Sequence, residues 1–212
     1  MLEKLRKAMK AADIDMLLIP SADPHGSEYP EEYFKARKHF SGFTGSAGTL
    51  LIWQGGAGLW TDGRYFLQAE RQLEGSGIDL FKMREPGVPT VDEFIAENIK
   101  GGVLGADLRT ISASEGMELE KGGAILKDCR SLIDGCWEGR PELSREPAYV
   151  LPMELAGISS SDKLGAVRAE MEKEDAGVCI FTDLADIAWL FNIRGNDVKY
   201  LPVALSYAIV EK

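Results

Sequence analysis

The sequence predicts an α/β fold, a mixed sheet flanked by helices, followed by a second and incomplete copy of its own opening. Three observations carry this reading. Apolar runs of strand length alternate with segments of helical period. A glycine-rich turn joins two apolar runs into a hairpin. The opening unit of the chain also returns near its end.

Leu2, Leu5, Met9 and Ala12 recur at spacings of three and four, which gives one apolar helix face. Met16-Leu17-Leu18-Ile19 then reads as a buried strand, stopped by Pro20 and the turn-rich SADPHGSEYP. GTLLIW and GLWT flank the turn QGGAG and predict the hairpin. A helix is expected from about Arg64, with Phe66, Ala69 and Leu73 on one side and Asp62 as its N-cap. IDLFKM predicts a strand, and Thr90-Val91-Asp92-Glu93 opens a helix as a capping box. VLGAD is a further strand, Ser112-Ala113-Ser114-Glu115 a second capping box, Gly122-Gly123 the end of that helix, and AILKDC a last strand.

EGRPELSREP, with Pro141 and Pro147, reads as a linker, so the first domain is expected over 1–145. Beyond it the numbering shifts by 162 and the opening unit recurs. Leu2, Leu5 and Met9 fall on Leu164, Val167 and Met171, and Met16-Leu17-Leu18-Ile19 falls on Val178-Cys179-Ile180-Phe181. With a loop twelve residues shorter, Phe43-Thr44-Gly45 falls on Ile193-Arg194-Gly195, and LLIW is matched by SYAIV. Residues 150–212 are therefore expected to be the start of a second, related domain that stops one strand into its hairpin and leaves an exposed edge.

Composition excludes several classes. A net charge of −10 is unsuited to nucleic acid, whose phosphates need clustered Lys and Arg. No run approaches the ~20 apolar residues of a membrane span. Three cysteines, Cys129, Cys136 and Cys179, make an odd count without a CxxC pair and fit a reducing compartment. With no apolar leader at the N-terminus, a cytoplasmic protein is expected.

Catalytic motifs are missing. The two histidines, His25 and His39, share no helical face and no HExxH. Asp23, His25 and Glu28 suit turn chemistry better than a metal. TGSAG lacks the first glycine of a nucleophile elbow, so Ser46 reads as part of a turn. GGAG and GGVLG match neither GxGxxG nor a P-loop; the first is assigned to the hairpin turn and the second to a helix end. Cys129 and Cys136 are expected in the core.

One segment stands apart, Trp60-Thr61-Asp62-Gly63-Arg64-Tyr65-Phe66. An arginine at a helix start opposes the helix dipole. Its guanidinium fork suits carboxylates and carbonyls, so Arg64 is either a ligand contact or the partner of Asp62 or of a neighbouring strand.

FSGFTGSAGTLLI (40–52), LWTDGRYFLQAE (59–70) and IAWLFNIRGNDVKYLPVALSYAIV (187–210) closely resemble stretches of cytosolic-type, three-domain Xaa-Pro aminopeptidases, the aminopeptidase P branch of the creatinase/prolidase pita-bread metallopeptidases. The resemblance runs along all 212 residues and includes the loop IPSADPHGSEY. It implies two related N-terminal domains with a ribonuclease-H-like motif, placed before a catalytic domain absent from this chain. It further implies a homodimeric cytoplasmic enzyme with two divalent metal ions, manganese by family preference, acting on peptides with proline in second position. The family's metal ligands and catalytic histidines belong to the catalytic domain, so neither catalytic nor metal-binding residues are expected here. The arginine of WTDGRYF carries over, which makes Arg64 a substrate contact. Two alternatives have different sequence consequences. A prolidase or creatinase-like hydrolase would ordinarily have one N-terminal domain, and a non-enzymatic, chaperone-like peptide-binding module would carry a long acidic tail and lack WTDGRYF.

Overall fold

A computed structural model describes residues 1–212, which form two compact units. The first comprises Met1–Pro24 with Tyr33–Pro141, the second His25–Glu32 with Glu142–Lys212. The turn-rich segment after Pro24 is thus grouped with the second unit, although sequence order puts it in the first.

The first unit runs α1 (Leu2–Ala11), β1 (Met16–Pro20), α2 (Ala36–Ser41), β2 (Thr49–Trp53), β3 (Gly56–Thr61), α3 (Phe66–Leu73), β4 (Asp79–Lys82), α4 (Val91–Ile99), β5 (Val103–Ala106), α5 (Ala113–Lys121), β6 (Ile125–Asp128) and α6 (Arg130–Cys136). Its strands make one mixed sheet in the order β4-β3-β2-β1-β5-β6. Strand β2 is antiparallel to β1 and β3, whereas β3–β4, β1–β5 and β5–β6 are parallel. The carboxyl ends of the other five strands therefore share one edge.

The apolar strand runs exist because both sheet faces are covered. Leu17, Ile19, Leu50, Ile52 and Leu59 pack with Leu5, Met9, Phe40, Ala69 and Ile133, from α1, α2, α3 and α6. The alternate residues Met16, Leu18, Leu51 and Trp60 pack with Ile95, Ile99 and Leu119 of α4 and α5. Each buried Leu or Ile contributes about 1.5–3 kcal/mol of transfer free energy, so the two layers are the main stabilising term.

Three expectations need correction. The GGAG cluster is not all turn, because Trp53 pairs with Gly56 and leaves Gln54-Gly55 as the two-residue turn. Gly58 lies within β3, where a Cβ would fall 2.6 Å from the Phe81 ring and 2.7 Å from that of Trp60. Those rings stack at 3.9 Å, and only glycine leaves room for them. Asp62 is also not a helix cap. Helix α3 starts at Phe66, and its N-cap residue Tyr65 makes no side-chain cap. Thr90 and Glu93 form the complete capping box expected on α4, whereas on α5 Ser112 accepts from the Glu115 N–H without the reciprocal bond of a capping box.

The second unit contains β7 (Tyr149–Val150), α7 (Met153–Ala156), α8 (Ser160–Lys173), β8 (Val178–Phe181), α9 (Leu184–Leu190), β9 (Ile193–Arg194) and β10 (Ala208–Glu211). Strands β8 and β10 pair antiparallel, as do β7 and β9. The repeat reaches individual backbone bonds. Helix α1 closes with Ile14 N–H donating to Met9 C=O at 2.9 Å, and α8 with Ala176 N–H donating to Met171 C=O at 2.8 Å. Between them stand Asp13 (φ 52°) and Asp175 (φ 49°), both left-handed. The ends of α2 and α9 correspond too, through left-handed Gly42 (φ 72°) and Asn192 (φ 51°). In the second unit the carbonyls at that helix end are served by Lys163. Its buried ammonium donates to Trp189 C=O at 2.8 Å and to Asn192 Oδ1 at 2.6 Å.

Candidate functional site

The segment 60–66 that stands apart in the sequence packs against the loop 43–49. Strand β3 delivers Thr61 to the sheet edge, where its hydroxyl donates to Ala47 C=O at 2.7 Å. Tyr65 OH and Ser46 Oγ are hydrogen-bonded at 2.7 Å. From α3, Gln68 and Gln72 reach the Thr44 hydroxyl at 2.9 and 2.8 Å, and Gln72 Oε1 accepts from the Thr44 N–H. Beneath the loop lies the buried Arg37. It donates to Ser21 Oγ at 2.8 Å and to the carbonyls of Phe43 and Gly45, both at 2.5 Å, with its guanidinium 4.9 Å from the Phe43 ring. No carboxylate compensates this charge, and burial pulls the guanidinium down to about 10. Arg37 is a strut that fixes the loop, and sequence reasoning missed it because a buried arginine has no periodic signature.

Arg64 stands at the rim of this construction. Asp62 Oδ1 accepts from Arg64 N–H at 3.0 Å and from Nε at 2.9 Å, while Oδ2 accepts from the terminal nitrogen at 2.8 Å. The guanidinium also lies 5.2 Å from the Tyr65 ring. These bonds, ahead of the charge of Arg84, hold the Asp62 carboxyl below its ordinary range. Because α3 begins two residues later, the helix-dipole argument for Arg64 does not apply. The same Asp-x-Arg clasp closes the ends of β5 (Asp107–Arg109) and β6 (Asp128–Arg130). The sheet edge is thus lined by preoriented guanidinium groups, of which Arg64, with 69% of its side chain exposed, is the most accessible.

A groove opens beside Arg64, lined by Ala47–Thr49, Thr61–Gly63, Met83 and Arg84. Arg84 occupies the third position of a turn closed by Glu85 N–H to Lys82 C=O at 3.2 Å, with φ at 70°. Glycine normally fills such a position, and an arginine there costs on the order of 1 kcal/mol.

The other candidates make packing and hydrogen-bond contacts. His25 stacks on Tyr207 at 4.4 Å, its Nδ1 lies 3.0 Å from Thr182 O, and Glu28 is exposed. His39 stacks on Trp137 at 4.5 Å, and burial lowers its pKa. Cys129 and Cys136 are buried, and burial pushes both thiols up, away from thiolate chemistry. No group of three or more His, Cys, Asp or Glu side chains is arranged to hold a metal ion. No helix is long and apolar enough to cross a membrane.

A six-stranded mixed sheet with helices on both faces defines a mixed α/β unit, and the second unit repeats its helix–strand pattern. Residues 1–136 match the creatinase/prolidase N-terminal domain, and residues 139–212 match a second family carrying that description. The chain belongs to the creatinase/prolidase N-terminal domain family. It is 40% identical over 216 residues to "Probable Xaa-Pro aminopeptidase P" of Paracoccidioides brasiliensis (strain Pb03), covering 99% of this chain and 35% of that protein. It is 41% identical to "Aminopeptidase P1" of Lotus japonicus, covering 96% of this chain and 31% of the relative. The chain superposes on X-prolyl aminopeptidase from Caenorhabditis elegans with a TM-score of 0.89 at 34% identity, covering 99% of this chain and 37% of that one. That protein is described as a cytosolic enzyme with a di-nuclear active site. The chain thus spans about a third of the length of the relatives it matches.

Proposed function

We propose that this chain is the N-terminal, non-catalytic region of a metal-dependent Xaa-Pro aminopeptidase, which releases the first residue from peptides with proline in second position. The observation that supports this most strongly is the similarity to the nematode X-prolyl aminopeptidase, which runs through 99% of the chain and both units at a TM-score of 0.89. In this reading residues 1–145 are a complete domain, 150–212 are the start of a second, and catalysis belongs to residues outside the 212. The complete enzyme is a cytoplasmic homodimer with two divalent ions, manganese by preference. In this reading the chain's contribution is to binding.

Its task follows from the substrate. A bond to proline nitrogen has no N–H, so recognition falls on the amino terminus, the ring and the residues beyond it. The present domains narrow the entrance to chain ends, and Arg64 donates to a main-chain carbonyl or carboxylate beyond the scissile bond. Asp62 holds the guanidinium ready, which lowers the ordering cost of that contact.

The longer enzyme is expected to cleave Ala-Pro-Ala and to leave Ala-Ala-Ala intact, while the 212-residue chain with Mn²⁺ does neither. Turnover by the chain above a metal-only blank, or failure of the longer enzyme on Xaa-Pro peptides, would overturn the reading.

A further inference from the structure

Arg84 has no part in the reading above, yet its placement asks for an explanation. It holds a left-handed backbone where glycine would be unstrained, as five other non-glycine residues of the chain do, and it does so at the lip of a groove. The side chain is exposed and lines the groove that Arg64 also lines. The two differ in commitment. Arg64 is clasped by both oxygens of Asp62, whereas Arg84 donates no side-chain hydrogen bond within the chain and reaches Asp62 only through its charge. Arg84 adds a second guanidinium to the groove beside the Asp62–Arg64 pair, in a protein whose net charge is −10. A planar fork with open donor positions fits a carboxylate in two-pronged fashion.

We propose that Arg84 is a specificity-determining residue that receives a carboxylate of the bound peptide, so that the groove favours peptides carrying a negative charge shortly after the proline. This rests on the peptide-binding reading above and adds the substrate class. The carboxylate can be the C-terminus of a short peptide or the side chain of an acidic residue, and the two call for separate probes.

The test is peptide binding to the longer enzyme stripped of metal, so that nothing is cleaved, measured by calorimetric titration. The probes are Ala-Pro-Ala as free acid and as amide, then the amidated Ala-Pro-Glu and Ala-Pro-Gln. Weaker binding of each neutral partner, by about fivefold as for an exposed ion pair, is expected. Arg84→Gly relaxes the turn, so it folds at least as well as the parent, and it should bring each ratio to about one, whereas Arg84→Lys keeps part of the preference. A difference confined to the first pair assigns the C-terminus, and one confined to the second assigns the acidic side chain. Equal affinity for charged and neutral peptides, or a preference that survives Arg84→Gly, would overturn the proposal. Because the readout is binding, it stays separate from the cleavage assay: a longer enzyme inactive on Xaa-Pro peptides defeats the first reading without deciding this one.

Discussion

The β1–β2 ladder of the first unit and the β8–β10 ladder of the second have the same pairing and different surroundings. Leu18 pairs with Leu51 in one, Ile180 with Ile209 in the other. Leu18 and Leu51 are 2% and 0% exposed beneath α4 and α5, while Ile180 and Ile209 are each 65% exposed. The opposite faces do not differ in this way: Leu17 and Leu50 are buried in the first unit, and Val210, paired with Cys179, is buried in the second. The lesson is that the helix–strand unit forms with one face covered. Register and helix caps are set locally, whereas the depth of the core depends on what lies over the second face.

The sharpest way to break this comparison is to truncate equivalent residues. Leu18→Ala should cost about 3 kcal/mol, through lost burial and the cavity left behind. Ile180→Ala should stay within about 0.5 kcal/mol, as at an exposed site. Urea denaturation of the two variants measures both, and equal losses would remove the distinction between the ladders. Next in size is Arg37→Ala. It strands the carbonyls of Phe43 and Gly45 and should cost about 2 kcal/mol, with faster amide exchange in residues 43–48.

A pair of small effects tests the likeness instead of the difference. Asp13→Gly and Asp175→Gly relax the same left-handed corner, and each should stabilise by about 0.5 kcal/mol in thermal melts. Opposite signs would show that the two corners are not equivalent. The smallest effect is the titration of Asp62. Its folded pKa lies below the ordinary 3.8, so its clasp with Arg64 contributes stability at higher pH and loses it as pH falls through the folded value. Carboxyl-carbon NMR should find the midpoint below 3.8, and Arg64→Gln should move it upward.

Much of the fold was legible in the sequence. Strands β1 and β2 announce themselves as apolar runs because both faces are covered. The repeat survives because Met9 and Met171, or Asp13 and Asp175, meet the same local demands. Helices α2 and α6 were missed: they span six and seven residues, and Lys35 and Cys129 at their starts supply no side-chain cap. Helix α9 did carry a signal, since Asp183 accepts from the N–H groups of Ala185 and Asp186. The candidate site was legible only at Arg64. Asp62, misread as a helix cap, is its clasp, while Arg37, Gln68 and Gln72 act across long sequence separations that no local pattern encodes.

The central claim is that these domains hold the peptide beyond the bond that is cleaved. Its most direct test is Arg64→Ala in the longer enzyme, assayed on Ala-Pro and on Ala-Pro-Ala-Ala. A drop of about tenfold in kcat/KM on the tetrapeptide is expected, with Ala-Pro nearly unaffected and bound metal unchanged. Unchanged kcat/KM on the tetrapeptide would contradict the account and remove Arg64 from the site.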